Sequence, residues 1–339
     1  MPKQILKVTG LKKYFPIKKG FFNRTVGYVK AVNDVDFEIN EGETVGLVGE
    51  SGCGKSTTGN CIVRLLDPTD GSILYTAKDG TQIDLAKAKA SEIKPYRKEI
   101  QMVFQDPFSS LNPRRTVSQL IAEPIRLNKL ITGKDQKEQI ENRVLELMDI
   151  VGLARRLYNT YPHELDGGRR QRIGIARALA MNPKFIVCDE PVSALDVSIQ
   201  AQILNLLKEL QEKLGLTYIF ITHNLSVVNH FADEIAVMYL GSLVEKAPVE
   251  ELFSNPMHPY TKALLSAIPV PDIHTQKQEL AIKGEITSPI NLPPQCRFCK
   301  RCPYAEDICG TKDVPELREI TPGHFVACHR LNGKGEIET

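Results

Sequence analysis

Gly49-Glu50-Ser51-Gly52-Cys53-Gly54-Lys55-Ser56-Thr57 is the stretch from which the fold follows. Ahead of it, Thr44-Val45-Gly46-Leu47-Val48 is a short apolar run that reads as a buried strand. Behind it, the segment from Thr58 to Leu66 carries apolar side chains at Ile62, Val63, Leu65 and Leu66 and reads as a helix. Strand, glycine-rich turn and helix is the context in which G-x-x-x-x-G-K-[ST] forms a phosphate-binding P-loop. Glycines let successive backbone N–H groups turn inward onto phosphate oxygens, and the helix N-terminus adds partial positive charge at the same place. Gly49, Ser51, Gly52, Cys53 and Gly54 then shape the cradle. Lys55 reaches the β- and γ-phosphates of a nucleotide, and the Ser56 hydroxyl binds Mg²⁺.

At 339 residues the chain has room for two domains, or for one large domain with an appendage. Hydrophobic residues make up 42% of it, enough for ordinary cores, and a net charge of +2 gives no electrostatic basis for binding nucleic acid. No apolar run reaches the roughly eighteen residues that a membrane span needs. Met1-Pro2-Lys3-Gln4-Ile5 lacks the apolar core of a secretion signal, which points to the cytosol. Five of the eight cysteines fall between Cys296 and Cys328. In a reducing compartment such clustering suggests a metal or cluster site more than disulfides.

Residues 4–10 read as a first strand, followed by Lys12-Lys13-Tyr14-Phe15 and a loop holding Pro16, Gly20 and Gly27. An aromatic ahead of a P-loop can stack on adenine, and Phe15 or Tyr14 is placed to do so. Residues 29–39 alternate at period two around Val35, Phe37 and Ile39, a half-buried strand. Beyond the first helix, Ser72–Thr76 and Thr81–Asp84 suggest a small hairpin, and residues 85–100, rich in Lys and Ala, a solvated helical face. Gln101 to Phe104 reads as a strand. Val117 to Leu157 is helical, interrupted at Pro124 and Gly133, with Leu145, Met148, Ile150 and Val151 toward the core. Asp166 is a good N-cap for a helix that Asn182-Pro183 stops. Phe185-Ile186-Val187-Cys188 is an apolar strand ending in Asp189-Glu190, the pattern of a Walker B strand. Its first carboxylate holds the Mg²⁺ shell and its second can polarise a water. A helix over about 198–214 shows one stripe, Ile199, Ile203, Leu206, Leu207 and Leu210, and ends at Gly215. Leu216–Thr222 is a further buried strand that delivers His223. Strands alternating with helices predict a mostly parallel sheet, with ligands at the strands' carboxyl ends.

Gln105, the run Leu165 to Gln171, Asp189-Glu190, Ser193 to Asp196 and His223 follow the P-loop in the order and spacing of an ABC transporter ATPase. The resemblance covers residues 5 to about 330. Phe104-Gln105-Asp106-Pro107, Ser109-Ser110-Leu111-Asn112-Pro113-Arg114, His258-Pro259-Tyr260-Thr261 and Cys302-Pro303-Tyr304-Ala305 resemble more narrowly the oligopeptide/dipeptide (peptide/nickel) importer branch. The resemblance implies an α/β P-loop NTPase cassette over residues 1–250, a mixed sheet core with a helical subdomain at about 108–180. A small Cys-rich extension of the oligopeptide-importer type occupies 251–339. It places Phe15 as the adenine-stacking aromatic and gives Lys55, Ser56 and Thr57 phosphate and Mg²⁺ contacts. Gln105 becomes the Q-loop glutamine that senses Mg²⁺ and the attacking water, Glu190 the general base, His223 the switch histidine on the γ-phosphate, and Asp196 the aspartate at the dimer seam.

The signature loop departs from the family's usual Leu-Ser-Gly-Gly-Gln and reads Leu165-Asp166-Gly167-Gly168-Arg169. In the family this loop faces the partner's ATP, so Asp166 brings negative charge toward phosphate, with Arg169 able to offset it. Cys296, Cys302, Cys309 and Cys328 follow a C-x5-C-x6-C-x18-C spacing. Some relatives in the branch carry a [4Fe–4S] cluster on four such cysteines; structural Zn²⁺ is the alternative, and free thiols the plain reading of the spacing. The cysteine site is distant in sequence from every ATP motif, so replacing Cys302 is expected to remove the metal and leave isolated nucleotide binding intact. The resemblance implies ATP hydrolysis coupled to import of peptides or related solutes such as oligosaccharides. The expected partners are a second, homologous ATPase subunit in a heterodimer, two transmembrane permease subunits and an extracytoplasmic solute-binding protein. The expected place is the cytoplasmic face of the membrane. The alternative is a soluble ABC-type ATPase uncoupled from transport, although the chain shows neither a coiled-coil insert nor a second cassette.

Overall fold

Two sheets organise the chain around the loop at residues 49–57. The computed structural model describes residues 3–268, 282, 284 and 288–337; the expected domain limits at residues 1 and 339 lie outside them. A long antiparallel hairpin, β1 (Gln4–Lys19) and β2 (Arg24–Asn40), leads into β3 (Thr44–Val48) and α1 (Lys55–Ile62). β4 (Asp70–Thr76), β5 (Gln82–Asp84), the single turn α2 (Ala90–Ile93) and β6 (Ile100–Val103) follow. Helices α3 (Pro107–Ser110), α4 (Val117–Leu127), α5 (Gln136–Ile150) and α6 (Gly167–Leu179) come next. Then come β7 (Phe185–Asp189), α7 (Val197–Leu214), β8 (Thr217–Thr222), α8 (Leu225–Val228), β9 (Glu234–Tyr239) and β10 (Ser242–Pro248). Beyond them lie α9 (Val249–Ser254), α10 (Pro259–Ser266), α11 (Asp307–Thr311), β11 (Arg318–Thr321) and β12 (His324–Val326).

Among the described residues, one sheet has the order β2-β1-β4-β5 and the other β11-β12-β10-β9-β3-β8-β7-β6. The run β9-β3-β8-β7-β6 is parallel. Every residue of β3, β7 and β8 is buried, as parallel strands covered on both faces require. One core joins the two sheets around α1 through Leu6, Val35, Leu47, Ile73, Val187 and Ile219. The other packs the opposite face, including Ile186 and Phe220, under α4 to α7 through Ile121, Val144, Ile173 and Leu207. This layering aligns the carboxyl ends of β3, β7 and β8 along one edge.

Several expectations change. β1 does not stop near residue 10 but runs to Lys19, because β2 pairs with it as far as Lys19 opposite Arg24. β4 covers the other edge of β1 only as far as Lys12, so Pro16 sits where its missing N–H removes no second ladder bond. Residues 85–100 are not a solvated helical face: Leu85 and Ile93 are buried in the core, and only α2 and a 3-10 turn at Tyr96–Lys98 are helical. Pro124 lies inside α4 without ending it, while Gly133 does fall between α4 and α5. Met148 and Val151 are buried, but Leu145 and Ile150 are only half-buried. Gly215 ends α7 in the left-handed conformation, φ 65°.

The region beyond residue 250 joins the same sheet, since β12 pairs with β10 at Glu245 opposite Val326. His324, fully buried, holds Glu245 at 2.8 Å and Glu251 at 3.4 Å. Leu207 is fully buried between α7 and the sheet. Leu207→Ala should lower unfolding free energy by about 2–5 kcal/mol through lost burial and a cavity; a loss below about 0.5 kcal/mol in chemical denaturation would contradict this packing.

Candidate active site

The loop after β3 is shaped by contacts that only glycine tolerates. Gly54 has φ 110°, and a Cβ there would lie 2.1 Å from the Ala31 carbonyl oxygen. Lys55 opens α1 with its side chain folded back into the loop. Its ammonium donates to the carbonyls of Gly49 at 2.7 Å and Glu50 at 2.9 Å. It lies 3.8 Å from Cys53 Sγ; burial pushes the Cys53 thiol up, and Lys55 opposes that shift. Ser56 Oγ donates to Asp189 Oδ1 at 2.7 Å, tying the start of α1 to the end of β7. Burial raises the Asp189 carboxyl above its ordinary range and the Ser56 bond pulls against it.

Glu190 follows directly and has φ 44°, in the left-handed region. A non-glycine residue held there stores roughly 1–3 kcal/mol of strain, which persists where the surroundings fix it. The fixing contact is its N–H, which donates to the Ile221 carbonyl of β8 at 2.9 Å. Its carboxylate accepts from Gln105 Nε2 at 2.9 Å and lies 3.2 Å from His223 Nδ1. Residues after β6, β7 and β8 therefore meet at one carboxylate. They face a cavity of about 600 Å³ lined by Ala31, Glu50, Ser51, Gly52, Gly54, Lys55, Ser56, Thr57, Gln105, Glu190, His223 and Leu264. Ammonium, loop N–H groups, a hydroxyl–carboxylate pair and a carboxylate beside an imidazole suit an anionic phosphate, a hard cation and an activated water.

Other expected site residues lie elsewhere. Phe15 pairs with Val29 in the hairpin, has the Lys13 ammonium 5.1 Å from its ring centroid, and is not in the cavity wall. Asp166 caps α6, accepting from the Arg169 N–H at 2.8 Å, and its carboxylate meets the Arg169 guanidinium at 3.1 Å. Gly167 and Gly168 form the first turn behind it. Asp196 caps α7, accepting from the Ile199 N–H at 3.0 Å and the Ser198 hydroxyl at 2.7 Å, which hold its carboxyl below the usual range.

Cys296, Cys302, Cys309 and Cys328 share one locality, close enough for each to oppose ionisation of others. Among the described residues, however, no three His, Cys, Asp or Glu side chains converge on a metal position. Burial pushes Cys296 up to about 12 and Cys302 to about 11. Other residues of the C-terminal region reach the loop at residues 49–57. Leu264 lines the cavity, and Tyr260 and Arg301 bond Glu50. Their signal in the sequence is faint: both lie in or beside motifs that mark the family, but no spacing rule links them to Glu50.

Residues 32–193 match the ABC transporter family, and residues 244–309 match the oligopeptide/dipeptide transporter C-terminal region. The oligopeptide transport ATP-binding protein AppF of Bacillus subtilis is 51% identical over 327 residues, 96% of this chain and 97% of that one. The chain belongs to this family. The dipeptide transport ATP-binding protein DppF of Haemophilus influenzae is 46% identical over 329 residues, 97% of each chain. Among solved structures, a dimeric ATP-binding cassette in a post-hydrolysis state with ADP and phosphate aligns with a TM-score of 0.62. It is 30% identical, over 72% of this chain and 99% of that one. The protein is an ABC-type ATPase with the P-loop cassette fold. No helix among the described residues is long and apolar enough to cross a membrane.

The Ser56–Asp189 bond gives a direct test. Ser56→Ala leaves a buried carboxylate without its 2.7 Å donor, which should weaken Mg²⁺-dependent ATP affinity about tenfold while leaving metal-free nucleotide binding nearly unchanged. Titration of ATP with and without Mg²⁺ checks it; equal loss in both conditions would contradict the metal role.

Proposed function

We propose that this subunit hydrolyses ATP at the cavity between Lys55 and Glu190 to energise import of oligopeptides or dipeptides. The observation that carries the reading is the convergence of the Lys55 ammonium, the Ser56–Asp189 pair and the Gln105–Glu190–His223 cluster on one cavity. The peptide substrate class is supported by the C-terminal region and by the named activities of the relatives. Lys55, Thr57 and the loop N–H groups bind the phosphates. Ser56, Asp189 and Gln105 hold Mg²⁺, which supplies charge neutralisation when bound. Glu190, already strained and hydrogen-bonded, orients and deprotonates the attacking water, and His223 donates toward the γ-phosphate. Phe15 stacks on adenine.

The subunit works peripherally at the cytoplasmic face with two permease subunits and a solute-binding protein, as one half of a heterodimer of homologous ATPases. Asp166 to Arg169 form its signature toward the partner's ATP, and Asp196 lies at the seam. The 3.1 Å pair with Arg169 offsets the Asp166 charge only weakly, because both side chains are about half exposed. The site that uses Asp166 therefore hydrolyses ATP more slowly than the site built on Lys55 and Glu190. In the assembled transporter, Glu190→Gln should remove most ATPase activity, whereas the equivalent substitution in the partner should remove little. Equal losses would defeat the unequal-site account, and no loss from Glu190→Gln would defeat the general-base assignment.

The same reading includes a [4Fe–4S] cluster on Cys296, Cys302, Cys309 and Cys328, with Zn²⁺ as the alternative. The support is chemical: four thiols in one locality, Cys296 and Cys309 buried and Cys302 and Cys328 half-buried, supply soft donors, and a metal would replace their protons. Protein purified without air should contain iron and acid-labile sulfide and absorb in the visible. Stoichiometric zinc would select the alternative, and neither metal would reject the site.

A further inference from the structure

Glu50 lies within the P-loop, and each of its polar groups is engaged. Its N–H donates to the Tyr260 hydroxyl at 2.9 Å, and its carbonyl accepts from the Lys55 ammonium at 2.9 Å. Its carboxylate takes both arms of one guanidinium, with Arg301 Nη1 at 2.8 Å from Oε2 and Nη2 at 3.2 Å from Oε1. The Arg301 side chain is 8% exposed and that of Glu50 24%, so the pair is largely shielded from water. Arg301 is itself firmly seated. Its N–H donates to the Phe298 carbonyl at 2.9 Å. Phe298 is buried against Tyr239 and Tyr260, with ring centroids 5.2 and 5.5 Å away. Cys302 is the next residue in the chain.

We propose that Arg301 is a positioning residue for ATP binding: its fork on Glu50 holds the P-loop in register, so the cysteine-bearing C-terminal lobe sets nucleotide affinity in its own subunit. The inference rests on the reading that residues 49–57 hold the phosphates. A loop with glycines at 49, 52 and 54 has little stiffness of its own. A bidentate guanidinium–carboxylate pair fixes orientation as well as distance. Without Arg301, the Glu50 carboxylate stands uncompensated in the wall that receives phosphate charge. Arg301 does not line the cavity, so its effect falls on binding and not on the hydrolytic step.

The test uses the assembled transporter and its ATPase activity as a function of ATP concentration. Arg301→Met should raise KM for ATP at least tenfold, with kcat at saturating ATP within twofold of the parent. Arg301→Lys keeps the charge but not the fork and should fall between the two. Combining Glu50→Gln with Arg301→Met should raise KM no further than Arg301→Met alone, because the second change removes the carboxylate that the first leaves uncompensated. Lys55→Ala is the control for the underlying reading: if it leaves ATP binding intact, the phosphate-site assignment fails first. If Lys55→Ala abolishes binding while Arg301→Met leaves KM unchanged, or lowers only kcat, the positioning role is overturned. Should Arg301→Met fail to fold, Arg301→Lys and Glu50→Gln decide, a raised KM supporting the role and an unchanged KM in both refuting it.

Discussion

A single short hydrogen bond, from the Ser56 hydroxyl to the buried Asp189 carboxylate, joins the first turn of α1 to the end of β7. Everything chemical in the molecule is arranged around that junction. The parallel strands β3, β8, β7 and β6 bring their carboxyl ends to one edge. There the chain must leave a fully buried strand and still satisfy its polar groups. Asp189 does so through Ser56, and Lys55 through the carbonyls of its own loop. Burial raises the Asp189 carboxyl above its ordinary range, and the Ser56 bond opposes that shift.

Glu190 shows how far the fold goes to hold this edge. Its left-handed backbone is kept by a bond to β8, and its side chain gathers Gln105 from behind β6 and His223 from behind β8. Residues from three strand ends thus read the same point in space. Such convergence ties any movement of the Glu190 carboxylate to Gln105 and His223 together. The C-terminal region adds a second layer of support. It extends the sheet through β12, buries Phe298 against Tyr239 and Tyr260, and reaches Glu50 with Tyr260 and Arg301.

The order of the elements around the cavity was legible because strand, glycine loop and helix follow from local patterning, and because Asp189-Glu190 and His223 stand at the ends of apolar runs. The stripe of α7 was legible for the same reason. What escaped depends on distance along the chain. β1 extends past Pro16 only because β2 continues beside it, and Leu85 and Ile93 are buried only because a core assembled elsewhere receives them. Arg301 meets Glu50 across 251 residues, a separation that no spacing rule covers. The thiols are neighbours, as their spacing suggested, but among the described residues no three metal-ligating side chains converge on one position.

The account stands or falls on the coupling of ATP hydrolysis at this cavity to peptide movement. The most direct measurement is uptake of a labelled oligopeptide by vesicles containing the assembled transporter and its binding protein, with Mg²⁺ and ATP supplied only on the cassette side. The account predicts accumulation that requires ATP and stops with a non-hydrolysable analogue. Uptake that continues without ATP, or ATP hydrolysis that moves no oligopeptide or dipeptide, would contradict it.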